Sequence, residues 1–413
     1  MSAPAPSRAP AVPLLRTTAT ASAALTAAVL PVFLLGALSD HLRRDLGIDE
    51  TGVGAAVTLL FLTAAVTAPL AGRFAERFGA AVALRSGVLL AGVLAAVTGT
   101  LAQRWWQLAL PLAFVGVAVG LVDTGAARAF VDRIVAERHG SAFGIKEASV
   151  PAASLLAGLS VPTVAAFVGW RAAFVATLGV AVVVAVCLPR DRSLSARSAG
   201  LADAPTPVGD PSGGVVPAAM LLFAVAAGLG AGAATAAATF LVPALADRGF
   251  GVAAAGLTLS VASVASIAAR LTLGRWADRP SASPTLAVSL LCLLGGGAAV
   301  ALALPSPAIV GGVAAVVLLG AGWGWTGLAF LAAVRAHPAA PAAAAGIVLS
   351  GLGGGGALGP LVFGALAGRV GYATAWTAVA IAFLAAAAAS GVARRRLPAA
   401  MSASRASRIP PMM

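Results

Sequence analysis

Charge is scarce in this chain. Only 10% of its 413 residues are charged, against about 25% in an ordinary soluble domain, and 60% are hydrophobic. So thin a polar complement cannot cover a water-soluble fold of this length, and a mean hydropathy of +0.97 is too high for one buried core. Cysteine is nearly missing: Cys187 and Cys292 lie in apolar runs without a partner motif, so neither a disulfide framework nor a metal site is signalled. The three histidines, His41, His139 and His337, stand at predicted helix ends with no second ligand at metal spacing. No nucleotide-binding motif is present, and the glycine string from Gly351 to Gly359 is not a phosphate loop, because no Gly-Lys-Ser/Thr follows it. A net charge of +13 without a basic face interleaved with aromatics does not point to nucleic acid. No metal, cofactor or catalytic constellation is indicated, which argues against an enzyme.

What the chain does contain is long apolar runs. Crossing about 30 Å of hydrocarbon takes roughly 20 apolar residues. Twelve runs of that order lie near 17–38, 53–72, 82–102, 108–130, 144–168, 171–189, 216–243, 253–273, 284–304, 308–334, 343–367 and 372–393. The first is too long for a secretory signal core and eleven more follow it. The expectation is an all-α membrane protein with a tail at 1–16, six spans over 17–189, a solvated linker at 190–215 rich in Arg, Ser, Pro, Gly and Asp, six spans over 216–393 and a tail at 394–413. With the N-terminus in the cytoplasm, 17 basic residues fall in inside segments and six in outside loops, so both termini are expected inside the plasma membrane. The lipid bilayer is the expected surroundings and a monomer the expected state.

The two sets of six are repeats at an offset of 202 residues, without a gap over about 130 residues. Asp45-Leu-Gly47 corresponds to Asp247-Arg-Gly249, Thr124-Gly125 to Thr326-Gly327, and Val168-Gly169-Trp170 to Val370-Gly371-Tyr372. The loop Gly72-Arg-Phe-Ala-Glu76-Arg77 corresponds to Gly274-Arg-Trp-Ala-Asp278-Arg279. An offset of six helices, an even number, returns the second copy in the same orientation, as two parallel repeats about an axis along the membrane normal.

With these motifs the sequence resembles the major facilitator superfamily over essentially its whole length. The loop Gly72-Arg-Phe-Ala-Glu76-Arg77-Phe-Gly79 is similar to that family's signature between helices two and three, although Ala80 and Ala81 replace its usual further basic residues and Glu76 its usual Asp. The resemblance implies secondary transport of a small solute by alternating access. Gly72, Glu76, Arg77, Gly79, Arg270, Gly274, Asp278 and Arg279 are then the expected conformational loop motif. The stretch Gly144-Ile-Lys146-Glu147-Ala-Ser-Val-Pro151 resembles that of members grouped with cyanate and related small-anion carriers. Export or exchange of a small organic molecule, uptake of a small anion, and passive facilitation all stay open.

Each repeat serves as a control for the other. Asp123 corresponds to Trp325, Arg128 to Phe330 and Lys146-Glu147 to Val348-Leu349, so the first copy holds charges where the second holds aromatic and aliphatic groups. Ionisable groups inside spans are costly enough to suggest function. Asp123 lies roughly 22 Å into the fourth run, and Lys146 roughly 6 Å into a fifth helix counted from about Ala142, which places both near the cytoplasmic side. Lys146 is the only lysine among 27 basic residues, and lysine is a compact charge on a flexible stem where arginine is a rigid fork. Asp123, Lys146 and Glu147 are therefore expected to face a substrate or proton pathway. Trp323 and Trp325 are the aromatic candidates for the same pathway, where a ring packs against an organic solute or only fills space; about 200° apart on a helix, at most one of them faces it directly. Arg128 and Asp132, spaced i, i+4, are expected to form a structural pair.

Overall fold

A computed structural model describes residues 11–131, 139–188, 218–279, 281–337 and 341–406. The expected linker at 190–215 and most of the first tail therefore lie outside the described residues. Fourteen α-helices occur among those described, and no strand. They are α1 (Ala11–Ala37), α2 (Ser39–Leu46), α3 (Glu50–Phe78), α4 (Ala80–Leu101), α5 (Trp105–Val131), α6 (His139–Ser160), α7 (Trp170–Cys187), α8 (Ala218–Asp247), α9 (Val252–Ala277), α10 (Pro284–Ala303), α11 (Ala308–Gly320), α12 (Thr326–Ala336), α13 (Pro341–Val370) and α14 (Tyr372–Ala406). Eleven are long and apolar enough to cross a membrane. Helices dominate because a chain in hydrocarbon must bond its own backbone. Proline is accepted inside six of them, at Pro31, Pro69, Pro111, Pro151, Pro243 and Pro360.

The tenth run departs from expectation. A continuous helix over 308–334 was anticipated, and the chain instead forms α11 and α12 with a succession of turns at 321–325 between them. Gly320, Gly322 and Gly324 alternate there, so helix propensity is low. The break is stabilised from within: Gly324 N–H donates to Ala321 O at 3.1 Å, and the Trp325 indole N–H to Gly322 O at 2.7 Å. Two smaller differences concern the flanks, since α1 already starts at Ala11 and α14 continues to Ala406.

Among the first six spans α3 and α4 pack on α5, α4 on α7 and α1 on α6; among the last six α8 packs on α13 and α14, α10 on α14 and α9 on α11. The two sets are joined by α6 with α9, α3 with α13 and α1 with α8, and further by α12 against α6. Backbone geometry repeats at the 202-residue offset: Gly47 and Gly249 take φ of 65° and 88°, Gly169 and Gly371 of 97° and 95°. Only glycine adopts such angles without steric cost, so these four positions turn the chain alike in both copies.

Small residues let the spans touch at backbone distance, which supplies the packing that a hydrophobic driving force cannot supply in lipid. Within the glycine string of α13, Gly351 meets the Ala224 carbonyl, Gly355 that of Gly228 and Gly359 that of Gly232, all on α8, while Gly353 has open space around it. A methyl at Gly355 would overlap the Gly228 carbonyl. Gly355→Ala is therefore expected to lower stability by about 1–3 kcal/mol through overpacking. Gly353→Ala should be neutral or gain up to about 1 kcal/mol from helix propensity. Thermal unfolding of the detergent-solubilised protein distinguishes the two.

Candidate functional site

The charged residues of the first copy converge. Lys146 Nζ on α6 lies 2.8 Å from Asp123 Oδ1 on α5 and 3.7 Å from Glu147 Oε1. Spacing brings this about, since α5 runs towards the end of the molecule from which α6 departs and the two residues stand at similar depth. Lys146 and Glu147 are 15% and 14% exposed, and Asp123, at 33%, is the most accessible of the three. The ammonium also stands 5.8 Å from the ring centroid of Phe330 on α12, which stacks on Phe143 of α6 at 5.7 Å. A cation is attracted to the electron-rich face of such a ring. The ionic groups of the cluster thus come from the first copy, and the ring that faces the ammonium, Phe330, comes from the second.

Arg270 lies here too, although the sequence grouped it with the loop motif one turn further on. It is only 2% exposed. Its Nε and Nη2 donate to the Trp323 carbonyl at 3.2 and 2.7 Å, and Nη1 donates to the Glu147 carbonyl. The guanidinium also sits 5.1 Å from the Trp323 ring centroid. The break in the tenth run explains this placement. Trp323 lies in the turns between α11 and α12, and its carbonyl takes the arginine fork. Arg270 therefore binds α6, α9 and the broken span together at the side of the charge cluster.

The two tryptophans part company. Trp323 packs edge-on against Phe33 of α1 at 5.6 Å, across the seam between the two copies. Trp325, expected as a possible pathway residue, is instead fully buried inside the second copy against Gly230, with its N–H bonded to Gly322 O. The broken helix sets their directions, so the 200° estimate for a regular helix does not apply. The Arg128–Asp132 pair lies outside the residues whose side chains are described.

The two copies of the loop motif behave differently. Asp278, at the end of α9, accepts from Ser141 N–H at 3.2 and 3.3 Å and from its hydroxyl, capping the first turn of α6 in the other copy. An acidic group is favoured there by the unpaired N–H groups and the helix dipole. Gly274 and Gly140 let α9 and α6 approach closely enough for this bond. Glu76 and Arg77 are exposed, and Arg77 covers the Phe78 ring at 5.4 Å. Gly79, with φ of 87°, turns the chain from α3 into α4. Gly72 has no close neighbour, and Arg279 closes a turn onto Trp276 O at 3.1 Å.

At the end of the molecule that carries α2, the copies meet through residues the sequence did not single out. Tyr372 O–H donates to Glu50 Oε1 at 2.9 Å, and Arg43 forms an ion pair with the same carboxylate. Thr58 donates to Ala357 O at 2.5 Å, and Gly54 and Gly36 lie against the carbonyls of Pro360 and Thr239. Further along α3, Leu62, Val66 and Leu70 are exposed. Thus α3 and α13 are pressed together at the α2 end and α3 is bare towards the other.

The family model of the Major Facilitator Superfamily matches residues 18–343. A stretch of 158 residues, 37% of this chain, is 35% identical to a protein of Mycolicibacterium smegmatis (strain ATCC 700084 / mc(2)155) described as an MFS-type efflux pump. The matched part of the chain spans about a third, 36%, of that relative's length. Among solved structures, a bacterial homolog to the human lysosomal transporter Spinster, in an inward-facing and occupied conformation, superimposes with a TM-score of 0.67, covering 93% of this chain and 96% of that one at 15% identity. That likeness speaks for the fold. With the family match running from the first span into the eleventh, on two like-oriented sets of helices, the chain belongs to the major facilitator superfamily and is a multi-pass membrane transporter.

Proposed function

We propose that this transporter exports a small organic solute across the plasma membrane in exchange for protons, by alternating access, with Asp123, Lys146 and Glu147 in the pathway and Trp323 on its opposite side. The observation that carries the reading is the position of Lys146, held between two carboxylates of one repeat and facing an aromatic ring of the other. Shifting the ammonium between the two acids leaves one without counter-charge in a low-dielectric site, and a proton is the smallest counter-charge that reaches it. The direction is supported by likeness to a protein described as an efflux pump.

The arginine distribution puts both termini and the Asp278 loop in the cytoplasm and α2 outside. On that orientation the contacts of Glu50, Thr58 and Gly54 close the outer side, and the bare stretch of α3 faces inward. The Asp278–Ser141 bond acts as an inner latch on one side of the seam, while Glu76 and Arg77, exposed here, are free to engage when the halves rock. The six-span units over 17–189 and 216–393 are the bodies that rock.

In reconstituted vesicles, Lys146→Val with Glu147→Leu, the residues of the second repeat, is expected to abolish flux without loss of membrane expression. Asp123→Asn should lower flux more than about tenfold, a barrier change of about 1.4 kcal/mol. Collapsing the pH gradient should stop uphill export; uphill export that persists without it excludes protons as the coupling ion. For the outer closure, Glu50→Gln with Tyr372→Phe, in a background lacking Cys187 and Cys292, should speed labelling of Ala357→Cys by an impermeant thiol reagent. One hydrogen bond to a charged group, worth about 1.5–3 kcal/mol, corresponds to a shift of more than about tenfold in the open population.

A further inference from the structure

We infer that the cargo is an amphipathic organic ammonium, that Asp123 is its recognition residue, and that Lys146 is a tethered competitor occupying the cargo's place. The inference rests on the assignment of this cluster to the transport pathway and adds the chemical class of what passes.

The arrangement around Lys146 Nζ is a receptor for an ammonium group, with carboxylate oxygens at 2.8 and 3.7 Å and an aromatic face at 5.8 Å. Opposite charge and a ring face are the two elements by which proteins hold organic cations. The aromatic side chains nearest the cluster are the stacked Phe143 and Phe330 and the Phe33–Trp323 pair; Phe143 is part-exposed and the other three are buried, so the apolar body of such a cation would rest first on Phe143.

An anionic cargo fits the same geometry poorly. The accessible member of the Asp123–Lys146 pair is the carboxylate, at 33% exposure against 15%, so an arriving anion meets like charge first. Taking Lys146 away from Asp123 would also leave that carboxylate beside the anion. Arg270 offers no alternative, because it is buried and its fork is spent on the carbonyls of Trp323 and Glu147.

An arriving cation meets the reverse situation. When it takes Asp123, Lys146 keeps two other partners, the Glu147 carboxylate and the Phe330 ring. The exchange is therefore nearly balanced in charge, which lets the cargo bind and leave. A lysine suits this role, being a point charge on four rotatable methylenes, whereas an arginine would grip the carboxylate with two parallel bonds. This gives a physical reason for the one lysine in a chain that uses arginine at 26 other positions.

The test uses the full chain in lipid nanodiscs at pH 8 with two probes of similar size, benzyltrimethylammonium and benzenesulfonate, and binding measured by equilibrium dialysis. The quaternary ammonium carries no titratable proton, so its binding reports competition with Lys146 rather than proton exchange. Lys146→Met is expected to bind it at least tenfold more tightly than the wild type, Lys146→Arg several-fold more weakly, and Lys146→Met with Asp123→Asn not measurably. The sulfonate should bind none of them. Sulfonate binding to the wild type that is lost in Lys146→Met overturns the inference, as does ammonium affinity that falls or stays level in Lys146→Met. If Lys146→Met does not fold, the ordering of wild type above Lys146→Arg and loss in Asp123→Asn decides, and an unchanged affinity in both overturns it. Flux separates this from the broader assignment. Asp123→Asn that abolishes flux while ammonium binding ignores Asp123 removes the cargo class and leaves the pathway standing. Asp123→Asn that alters neither removes both.

Discussion

In hydrocarbon a polar group has no partner except another part of the chain, and the architecture follows from meeting that demand at the few places where helices cannot. Arg270 is the extreme case. A buried guanidinium is tolerated because its N–H groups meet two backbone carbonyls, and one of them, that of Trp323, lies where the tenth span breaks into turns. Each defect supports the other. The pairing also fixes the Glu147 backbone, and with it the position from which Glu147 and Lys146 face Asp123.

The same device recurs at span ends, where the last carbonyls of a helix lack intrahelical partners. Arg171 donates to Ala102 O, the residue that ends α4, and Arg248 to Leu304 O, which ends α10, each at 2.7 Å. Ala102 and Leu304 stand at equivalent positions of the two repeats, yet the arginines that serve them come from different elements, the start of α7 and the end of α8. Arg85 does the same for Leu188 at the end of α7, at 2.6 Å. A planar fork with five donors suits clustered carbonyls better than an ammonium does. Arg171 and Arg248, which a sequence reading assigns to topology, are therefore also satisfying backbone.

This explains which features were legible in the sequence. The repeat was, because it is written in glycines that both copies need at the same turns, such as Gly169 and Gly371. The similar depth of Asp123 and Lys146 was legible too, but their 2.8 Å contact was not, since depth alone does not say whether two residues on successive helices face each other or the pathway. The break at 321–325 was hidden, because hydropathy averages over a span and carries no information on hydrogen bonding. Arg270 was read with the loop since it lies one turn from Gly274, and only its rotation about α9 shows that it points at α6 instead. The pairing of Phe143 with Phe330 and of Glu50 with Tyr372 joins residues of different repeats, whose relative placement no internal comparison reveals. The two loop motifs read alike, and one bonds across the seam while the other lies exposed, because the bond depends on whether the facing helix is near.

A rocking transporter must break whatever crosses its seam, so the strength of those bonds limits how it works. The ion triad lies wholly on α5 and α6 and travels with the first repeat, unchanged by rocking. What crosses is a set of hydrogen bonds: a tyrosine hydroxyl on Glu50 and Thr58 on the Ala357 carbonyl at one end, Ser141 on Asp278 at the other, and Ser260 on the Leu155 carbonyl and Arg270 on the Glu147 carbonyl between them. Hydrogen bonds to charged groups are worth about 1.5–3 kcal/mol each. A cargo bound at micromolar affinity releases about 8 kcal/mol, enough to offset two or three such bonds but not the loss of an unpaired ion in lipid. Keeping the Asp123–Lys146–Glu147 ion pairs within one repeat, with hydrogen bonds rather than ion pairs across the seam, is therefore the division under which a solute of ordinary affinity can drive the exchange.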